Sequence, residues 1–328
     1  MFRWGIISGA KIAKEHLIPS IAESSNGIVS GIACRNLNDA KALASRFDIK
    51  HVFADYDDLL ASPDIDGVYI PVATAHHMHW TKRAIKAGKH VLCEKPIALD
   101  ASEIDELIAL RDQSGLLISE AFMVYYHPQW KKARELIADG AIGNLKHIQG
   151  AFTFFTDDPK NTRNIPELGG GALRDIGVYP VVTSRITTGQ EPLKLRAETQ
   201  YSPEFGTDIF TSASLQFDGF TMSFYCSTQL SLYQEMSFHG DAGRIHLDAP
   251  FNAGLYDHAR VHIYNDKDMS QTSHQYNNAH QYTLQVEAFV NAVNDRNHDH
   301  FTLENSRANQ RVIDALFRAG KSGDWEAV

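Results

Sequence analysis

Over the first 122 residues, short apolar runs alternate with stretches whose apolar residues recur every three or four positions. Phe2–Ile7 is such a run; it breaks at Ser8-Gly9-Ala10, and from Lys11 a helical pattern passes through Ile12, His16, Ile18 and Ile21. Residues 28–34 predict a second strand ending at Arg35-Asn36, after which Ala40, Leu43, Ala44 and Phe47 recur at helical spacing. Further strands are predicted at His51–Phe53, at Gly67–Ile70 stopped by Pro71, at His90–Cys93 and at residues 116–121. Helices are predicted at about residues 77–87, with Gly88 where a terminating glycine belongs, and at 104–110 behind a capping-box-like Asp100 and Glu103. Strands alternating with helices in this way predict a parallel sheet covered on both faces.

Beyond residue 122 the pattern changes. Tyr125-Tyr126-His127 precedes Pro128, a good first helical residue, and Trp130, Ala133, Leu136 and Ile137 mark a helix that Gly140 ends. Strand-like runs follow at Leu145–Phe155 and at residues 193–201, 211–217, 221–228, 235–239 and 260–264, separated by turns such as Asp218-Gly219 and Asp241-Ala242-Gly243. Short connections between neighbouring strands predict a large, mainly antiparallel open sheet. Two helices, about 282–294 and 304–319, close the chain. The expected architecture is therefore an α/β dinucleotide-binding domain at 1–122 and an α+β substrate-binding and oligomerisation domain at 123–328, its last helix packing back on the first.

The 328 residues suit two domains, each large enough to bury a core. A net charge of −9 argues against a sequence-independent grip on nucleic acid, and no polybasic run suggests a membrane surface. No apolar segment approaches a membrane span. Cys34, Cys93 and Cys226 lie far apart with no zinc-like spacing, which fits a reducing compartment and a cytoplasmic protein. The run His76-His77-Met78-His79 offers ligand types, but neighbours one and two apart on a helix diverge, so no metal site is expected.

Chemistry gathers at strand ends. Ser8-Gly9-Ala10, with Ala13, follows a strand and opens a helix, which is the context in which a dinucleotide pyrophosphate meets a helix N-terminus; serine and alanine replace two glycines of the full fingerprint. About 20 residues further on, an NAD site presents a carboxylate to the ribose. This chain presents Arg35, whose guanidinium suits a 2′-phosphate, so NADP is favoured over NAD; a solvated arginine after a strand is the plainer alternative. Candidate cofactor contacts are Ser8, Gly9, Ala10, Lys11, Ile12, Arg35, Pro71, His77, Glu94 and Lys95.

Lys95 ends an apolar run, Val91-Leu92-Cys93-Glu94-Lys95-Pro96, where a buried strand surfaces. In an open parallel sheet that edge is where ligands bind, although a capping lysine paired loosely with Glu94 has the same spacing. Gly169-Gly170-Gly171 allows close backbone approach, and the following helix sets Asp175 and Tyr179 four apart on one face. Hydride transfer at a carbon bearing oxygen requires a proton to move, and the phenol's pKa near 10 makes it a poor base alone. A lysine ammonium about 4 Å away favours phenolate by roughly 4 kcal/mol at an effective dielectric near 20. Tyr179 with Lys95 thus forms a candidate proton-transfer pair, with Asp175 orienting a substrate hydroxyl or the lysine. Solvated helix polarity is the alternative for Asp175 and Tyr179.

The chain resembles the glucose-fructose oxidoreductase, inositol dehydrogenase and rhizopine catabolism (Gfo/Idh/MocA) family over essentially its whole length. The resemblance rests on the N-terminal turn, on Ala87-Gly88-Lys89-His90-Val91-Leu92-Cys93-Glu94-Lys95-Pro96, on Glu120-Ala121-Phe122-Met123, on Gly140-Ala141-Ile142-Gly143 and on the Gly169 to Tyr179 stretch. It implies an N-terminal Rossmann domain, a C-terminal domain with an open sheet, and oxidation or reduction of sugars, polyols or related diols. It also implies a homodimer or dimer of dimers through that sheet. The family's lysine falls on Lys95 and its aspartate on Asp175, while many members have histidine at Tyr179. That tyrosine, with Asn161-Thr162-Arg163, is most similar to the dimeric dihydrodiol dehydrogenase and NADP-dependent D-xylose dehydrogenase group. Ser8 occupies a common glycine position, and Tyr125 stands where relatives often carry arginine. Candidate substrate contacts are Tyr125, Phe154, Arg163, Asp175 and Tyr179; Tyr125 reads equally as a core aromatic. A catalytically silent NADP-sensing regulator and a scaffold protein are the competing functional classes.

Overall fold

The computed structural model describes residues 1–255 and 259–328. They group into two compact units, one of Met1–Tyr126 with His280–Arg307, the other of His127–Ala279 with Ala308–Val328.

The first unit contains β1 (Phe2–Ile7), α1 (Ile18–Glu23), β2 (Gly27–Ala33), α2 (Leu37–Phe47), β3 (His51–Phe53), α3 (Tyr56–Ala61), β4 (Gly67–Ile70), α4 (His77–Lys86), β5 (His90–Cys93), α5 (Ala101–Ser114) and β6 (Ile118–Glu120). Its strands pair in parallel in the order β3-β2-β1-β4-β5-β6, the doubly wound arrangement with its switch point between β1 and β4. Alternate strand residues enter different cores, as expected of a sheet covered on both sides. Trp4, Ile6, Tyr69 and Leu92 pack with Leu17 and Phe289, while Ile7, Val68, Ile70 and Val91 pack with Leu60, Ile85 and Leu107. Helix starts carry their own caps: Asn36, Asp55 and Asp100 each accept backbone N–H groups of the turn that follows. Glu103 reaches back to the N–H of Leu99 at 2.8 Å, closing a capping arrangement one residue before the expected place.

The second unit holds α6 (Pro128–Ala138), β7 (Leu145–Phe155), α7 (Val178–Thr188), β8 (Lys194–Tyr201), β9 (Asp208–Gln216), β10 (Thr221–Ser227), β11 (Gln229–Gly240), β12 (Gly243–Leu247), β13 (Ala259–Asn265), β14 (Ser270–Tyr276) and β15 (Glu326–Ala327). The nine-stranded sheet runs β14-β13-β12-β11-β7-β10-β9-β8-β15 and is antiparallel except where β10 lies parallel to β7. Helix α8 (Gln281–Asn294) belongs to the first unit, the Phe289 ring lying tilted with its centre 5.0 Å from that of Trp4, and α9 (Leu303–Ser322) is divided between the units at Arg307.

Strands β12 and β15 were not predicted from the apolar pattern, and three further departures from it have physical reasons. Ser270–Tyr276 is polar throughout because β14 is an edge strand with largely exposed side chains. Helix α3 has six residues, too few for a period to show. The helix expected from Lys11 is not uniform: Ala13–Leu17 forms a π-helical turn before α1. Pro19 follows that turn, and a proline ring clashes with the carbonyl four residues back in a regular α-helix. The wider turn relieves that clash. Leu173–Gly177 repeats the device ahead of Pro180. Among the described residues, no helix is long and apolar enough to cross a membrane.

Candidate active site

In the first unit the candidate cofactor residues stand at the carboxyl edge of the parallel sheet, on both sides of the switch point. Ser8 ends β1 and donates its N–H to the Ala33 carbonyl at 2.8 Å, joining the ends of β1 and β2. Its φ of 97° lies in the left-handed region, so this serine holds a conformation that suits glycine. Gly9 abuts the chain itself: a Cβ there would sit 2.9 Å from Leu43 Cδ1 and 3.1 Å from Cys34 Sγ. Ala10 and Ile12 are half-buried, Lys11 is exposed and faces Glu15 at 3.9 Å, and Arg35 is exposed just beyond β2. Burial and Asp39 raise the pKa of the neighbouring Cys34 thiol against the pull of the Gly9 N–H and Lys14. Tyr56, which local pattern did not single out, hydrogen-bonds the Ser8 side chain and the Arg35 backbone, although burial raises its pKa overall.

The end of β5 is held from three sides. Glu94 Oε1 accepts the hydroxyl of the buried Tyr69, so the loose Glu94–Lys95 pairing considered from sequence is not the whole of Glu94's bonding. The Lys95–Pro96 peptide bond is cis. His77, 1% exposed, places Nδ1 2.8 Å from the Pro96 carbonyl and Nε2 2.9 Å from that of Val72. Burial lowers its pKa to about 4, outweighing both carbonyls, so the ring is neutral near pH 7 and has one N–H to donate. His77 therefore shapes the turn from within, and His76 and His79 point to solvent. From β6, Glu120 accepts the Ile97 N–H at 2.9 Å. Its carboxyl, 3% exposed, is pushed up to about 7 by burial, against Ser306, the Ile97 N–H and the charge of Lys95. Pro71, closing β4, is buried.

Tyr125 also belongs to the first unit. Its hydroxyl donates to Asp299 at 2.5 Å, and its ring meets Tyr126 and Phe301 edge-on at 5.2 and 5.5 Å.

In the second unit four candidate residues converge. Arg163 Nε donates to Asp175 Oδ2 at 2.5 Å, and the guanidinium lies over Phe154 with its carbon 5.4 Å from the ring centre. The charge of Asp175 raises the arginine's pKa, with a further contribution from Tyr179. Tyr179, 5% exposed, packs its ring against Phe152 and Phe251, each 5.5 Å away. Asp175 sits in the π-turn and Tyr179 in α7, so the assumption of one continuous α-helix is corrected while the two residues still serve one cluster.

The triple glycine has an internal cause. A Cβ on Gly170 would lie 2.5 Å from the Arg163 carbonyl oxygen, and one on Gly171, at φ +121°, would lie 1.9 Å from Asp208 Oδ1. Asp208, 3% exposed, accepts the Leu173 N–H at 2.6 Å and so caps the turn that carries Asp175. Burial raises its pKa to about 6, against that N–H and Arg174. The close approach read from the glycines is thus made by this chain's own carboxylate. Asp208 has no local motif; only a buried acid at the start of a strand marks it. Glu120 is marked as a charge at the end of an apolar run and as the first residue of Glu120-Ala121-Phe122-Met123, one of the stretches on which the family resemblance rests, but with no role attached.

Residues 2–122 match the model of an oxidoreductase family with an NAD-binding Rossmann fold (GFO/IDH/MocA), and residues 130–246 match the GFO/IDH/MocA C-terminal domain. An uncharacterized oxidoreductase, ORF334, of Rhizobium meliloti is 40% identical over 100% of this chain and 99% of its own. The D-xylose 1-dehydrogenase (NADP(+)) 2 of Haloferax volcanii is 29% identical over 98% of each chain. Among solved structures, a 3-ketoreductase from Actinomadura kijaniata with one tyrosine replaced by phenylalanine, in complex with TDP-benzene and NADP, superposes with a TM-score of 0.91. It is 28% identical, and 97% of each chain is covered.

Proposed function

The chain belongs to the GFO/IDH/MocA oxidoreductase family, and on that premise we propose that it transfers a hydride between NADP and a sugar, polyol or cyclic diol. Tyr179 is the acid/base group in this reading, assisted by Lys95. The observation that carries it is the placement of Lys95 at the carboxyl end of β5, on the sheet edge that includes the β1–β4 switch point.

The residues present fit the cofactor. A turn of backbone N–H groups opens a helix after β1, and an exposed guanidinium stands after β2 where an NAD site offers a carboxylate. Ser8, Gly9, Ala10, Lys11 and Ile12 would hold the pyrophosphate, Arg35 the 2′-phosphate, and Pro71, His77 and Glu94 would shape the nicotinamide end. NADP, when bound, supplies the hydride acceptor or donor. The chain's own residues handle the proton: an ammonium at Lys95 favours the phenolate form of Tyr179, which then accepts the substrate hydroxyl proton. Asp175, held by Arg163 over Phe154, orients that hydroxyl, and Tyr125 contributes to substrate contact.

Turnover in an NADP-linked absorbance screen of aldoses, polyols, anhydrosugars, cyclic diols and dTDP-ketosugars tests the assignment. Lys95→Ala and Tyr179→Phe are expected to lose about 10²- to 10⁴-fold in kcat with unchanged melting. Near-normal turnover by both variants would overturn the catalytic roles. Tight NADPH binding without turnover across the panel would replace the enzyme with a cofactor-sensing regulator.

The open sheet is also the proposed self-association surface of a cytoplasmic dimer or dimer of dimers. Phe155 and Leu232, 60% and 57% exposed on β7 and β11, support that reading, and sedimentation of Leu232→Glu tests it.

A further inference from the structure

We propose that Tyr69 is a positioning residue for the cofactor site: its hydroxyl sets the Glu94 carboxylate to accept hydrogen bonds from the nicotinamide half of NADP. The inference rests on the reading of this sheet edge as an NADP site, and it gives Tyr69 a role that reading lacks.

The contact follows from strand register within the first unit. Tyr69 on β4 stands opposite Leu92 on β5, and the next pair is Ile70 with Cys93. Side chains alternate along a strand, so Glu94, two residues past Leu92, returns to the face on which Tyr69 lies. It is the tyrosine's diagonal neighbour, at a range that a long aromatic side chain spans. The Glu94 N–H donates to the Ile70 carbonyl at 3.0 Å, so the parallel ladder reaches this residue and holds its backbone. The Tyr69 hydroxyl then donates to Oε1 and directs the side chain.

Packing of the ring does not call for that hydroxyl. Tyr69 is fully buried between Ile6 on β1 and Leu92 in its cross-strand row, and Trp4, Leu17 and Phe289 share its core. A phenylalanine fills the same apolar space, and a hydroxyl there is costly unless it is bonded. Glu94 supplies the bond. Burial, and then the charge of Glu94, raise the phenol's pKa well above 10, so near neutral pH the group is a donor and not a phenolate.

The chemistry of Glu94 limits what it can meet. An ionised carboxylate accepts hydrogen bonds and donates none. Glu94 follows β5 on the β4 side of the switch point, whereas Arg35 follows β2 on the β1 side. A dinucleotide lies across such a switch point, so with the 2′-phosphate at Arg35 the other nucleotide falls to the β4–β5 side. The donors of that half are its ribose hydroxyls and the carboxamide amine. An acceptor already held in one orientation loses less conformational freedom on meeting them than a mobile one.

Calorimetric titration of the full chain with NADPH and with adenosine 2′,5′-bisphosphate, which has no nicotinamide ribose, separates the two halves of the cofactor without any turnover. Tyr69→Phe keeps the ring and removes the donor. It should weaken NADPH binding about tenfold and leave the bisphosphate in place. Glu94→Ala should weaken NADPH at least as much, and the double variant should bind it within about twofold of Glu94→Ala alone, because the hydroxyl acts through the carboxylate. A hydroxyl with only a structural part would lower the melting temperature or weaken both ligands alike. A parent-like ratio of the two affinities in Tyr69→Phe, or losses that simply multiply in the double variant, would overturn the proposal. Where Tyr69→Phe does not fold, Glu94→Asp decides: it keeps the charge but withdraws it by one methylene from the hydroxyl, the ratio should fall, and a parent-like ratio overturns the proposal. Failure of the functional reading looks different. A parent protein that binds neither ligand has no NADP site and takes the proposal with it, whereas binding without turnover leaves these ratios untouched.

Discussion

In the first unit, candidate residues stand just beyond the carboxyl ends of strands in one parallel sheet: Ser8 after β1, Arg35 after β2, Pro71 after β4 and Lys95 after β5. In the second, Phe154, Arg163, Asp175 and Tyr179 come from a strand, a short turn, a π-turn and a helix; Arg163 joins Phe154 and Asp175 through side-chain contacts, and Tyr179 acts on it electrostatically. Parallel βαβ topology therefore places the first group once the strands are in register. The second group depends on a single buried acid, Asp208, seated against Gly171 and capping the turn that bears Asp175. Both units accommodate a proline behind a π-turn, so that device is shared and what differs is how the side chains are brought together.

If the second cluster hangs on Asp208, Gly171→Ala should be strongly damaging. Its Cβ would displace the carboxylate at a φ of +121°, and a loss of about 3 kcal/mol or more is expected in urea unfolding. Gly9→Ala in the first unit meets only the ends of the Leu43 and Cys34 side chains, and about 1 kcal/mol is expected. Equal costs would remove the contrast.

The buried acids should make the units alike in sign. Glu120 titrates at about 7 in the folded protein, above its ordinary 4.5, so the folded state keeps a proton that the unfolded chain releases. Stability from this group is present below pH 4.5 and is lost as pH rises to 7, by about 3 kcal/mol. Asp208 acts in the same sense between 3.8 and about 6. His77 and His127, lowered to about 4 by burial, act oppositely: their contribution is present above 6.5 and is lost as pH falls to 4. Relative to the parent protein, Glu120→Gln should shift the balance toward greater stability at pH 8 than at pH 5, and an unchanged difference between the two pH values would remove the carboxyl from the account.

Arg35→Ala sharpens the first unit's half of the comparison. Losing charge-assisted bonds to a 2′-phosphate should weaken NADPH binding about tenfold to a hundredfold and leave NADH unchanged, as read by fluorescence quenching. The smallest expected effect is at Ser8. Ser8→Gly relieves a left-handed φ and should gain about 1 kcal/mol, offset in part by the greater freedom of the unfolded glycine. A loss of stability instead would mean that the Tyr56 contact to the Ser8 side chain outweighs the backbone cost.

Much of the first unit was legible in advance because its signals are local. His51–Phe53, Gly67–Ile70 and His90–Cys93 read as strands from apolar runs bounded by turn residues, and each is observed with those bounds. The carboxyl edge then follows from parallel pairing, so Ser8, Arg35 and Lys95 can be located without coordinates. The sheet class of the second unit was legible for the same reason, while the polar β14 and the short α3 left no period to read. What tertiary structure alone decided is which groups answer one another across long stretches of chain. Asp208 reaches Leu173 over 35 residues, Glu120 reaches Ile97 over 23, and Tyr125 reaches Asp299 over 174. Hydrophobic periodicity records which face of an element is buried and carries no information about which buried polar groups pair. A partner is fixed when packing removes water and leaves each carboxylate or hydroxyl with the one donor or acceptor within reach.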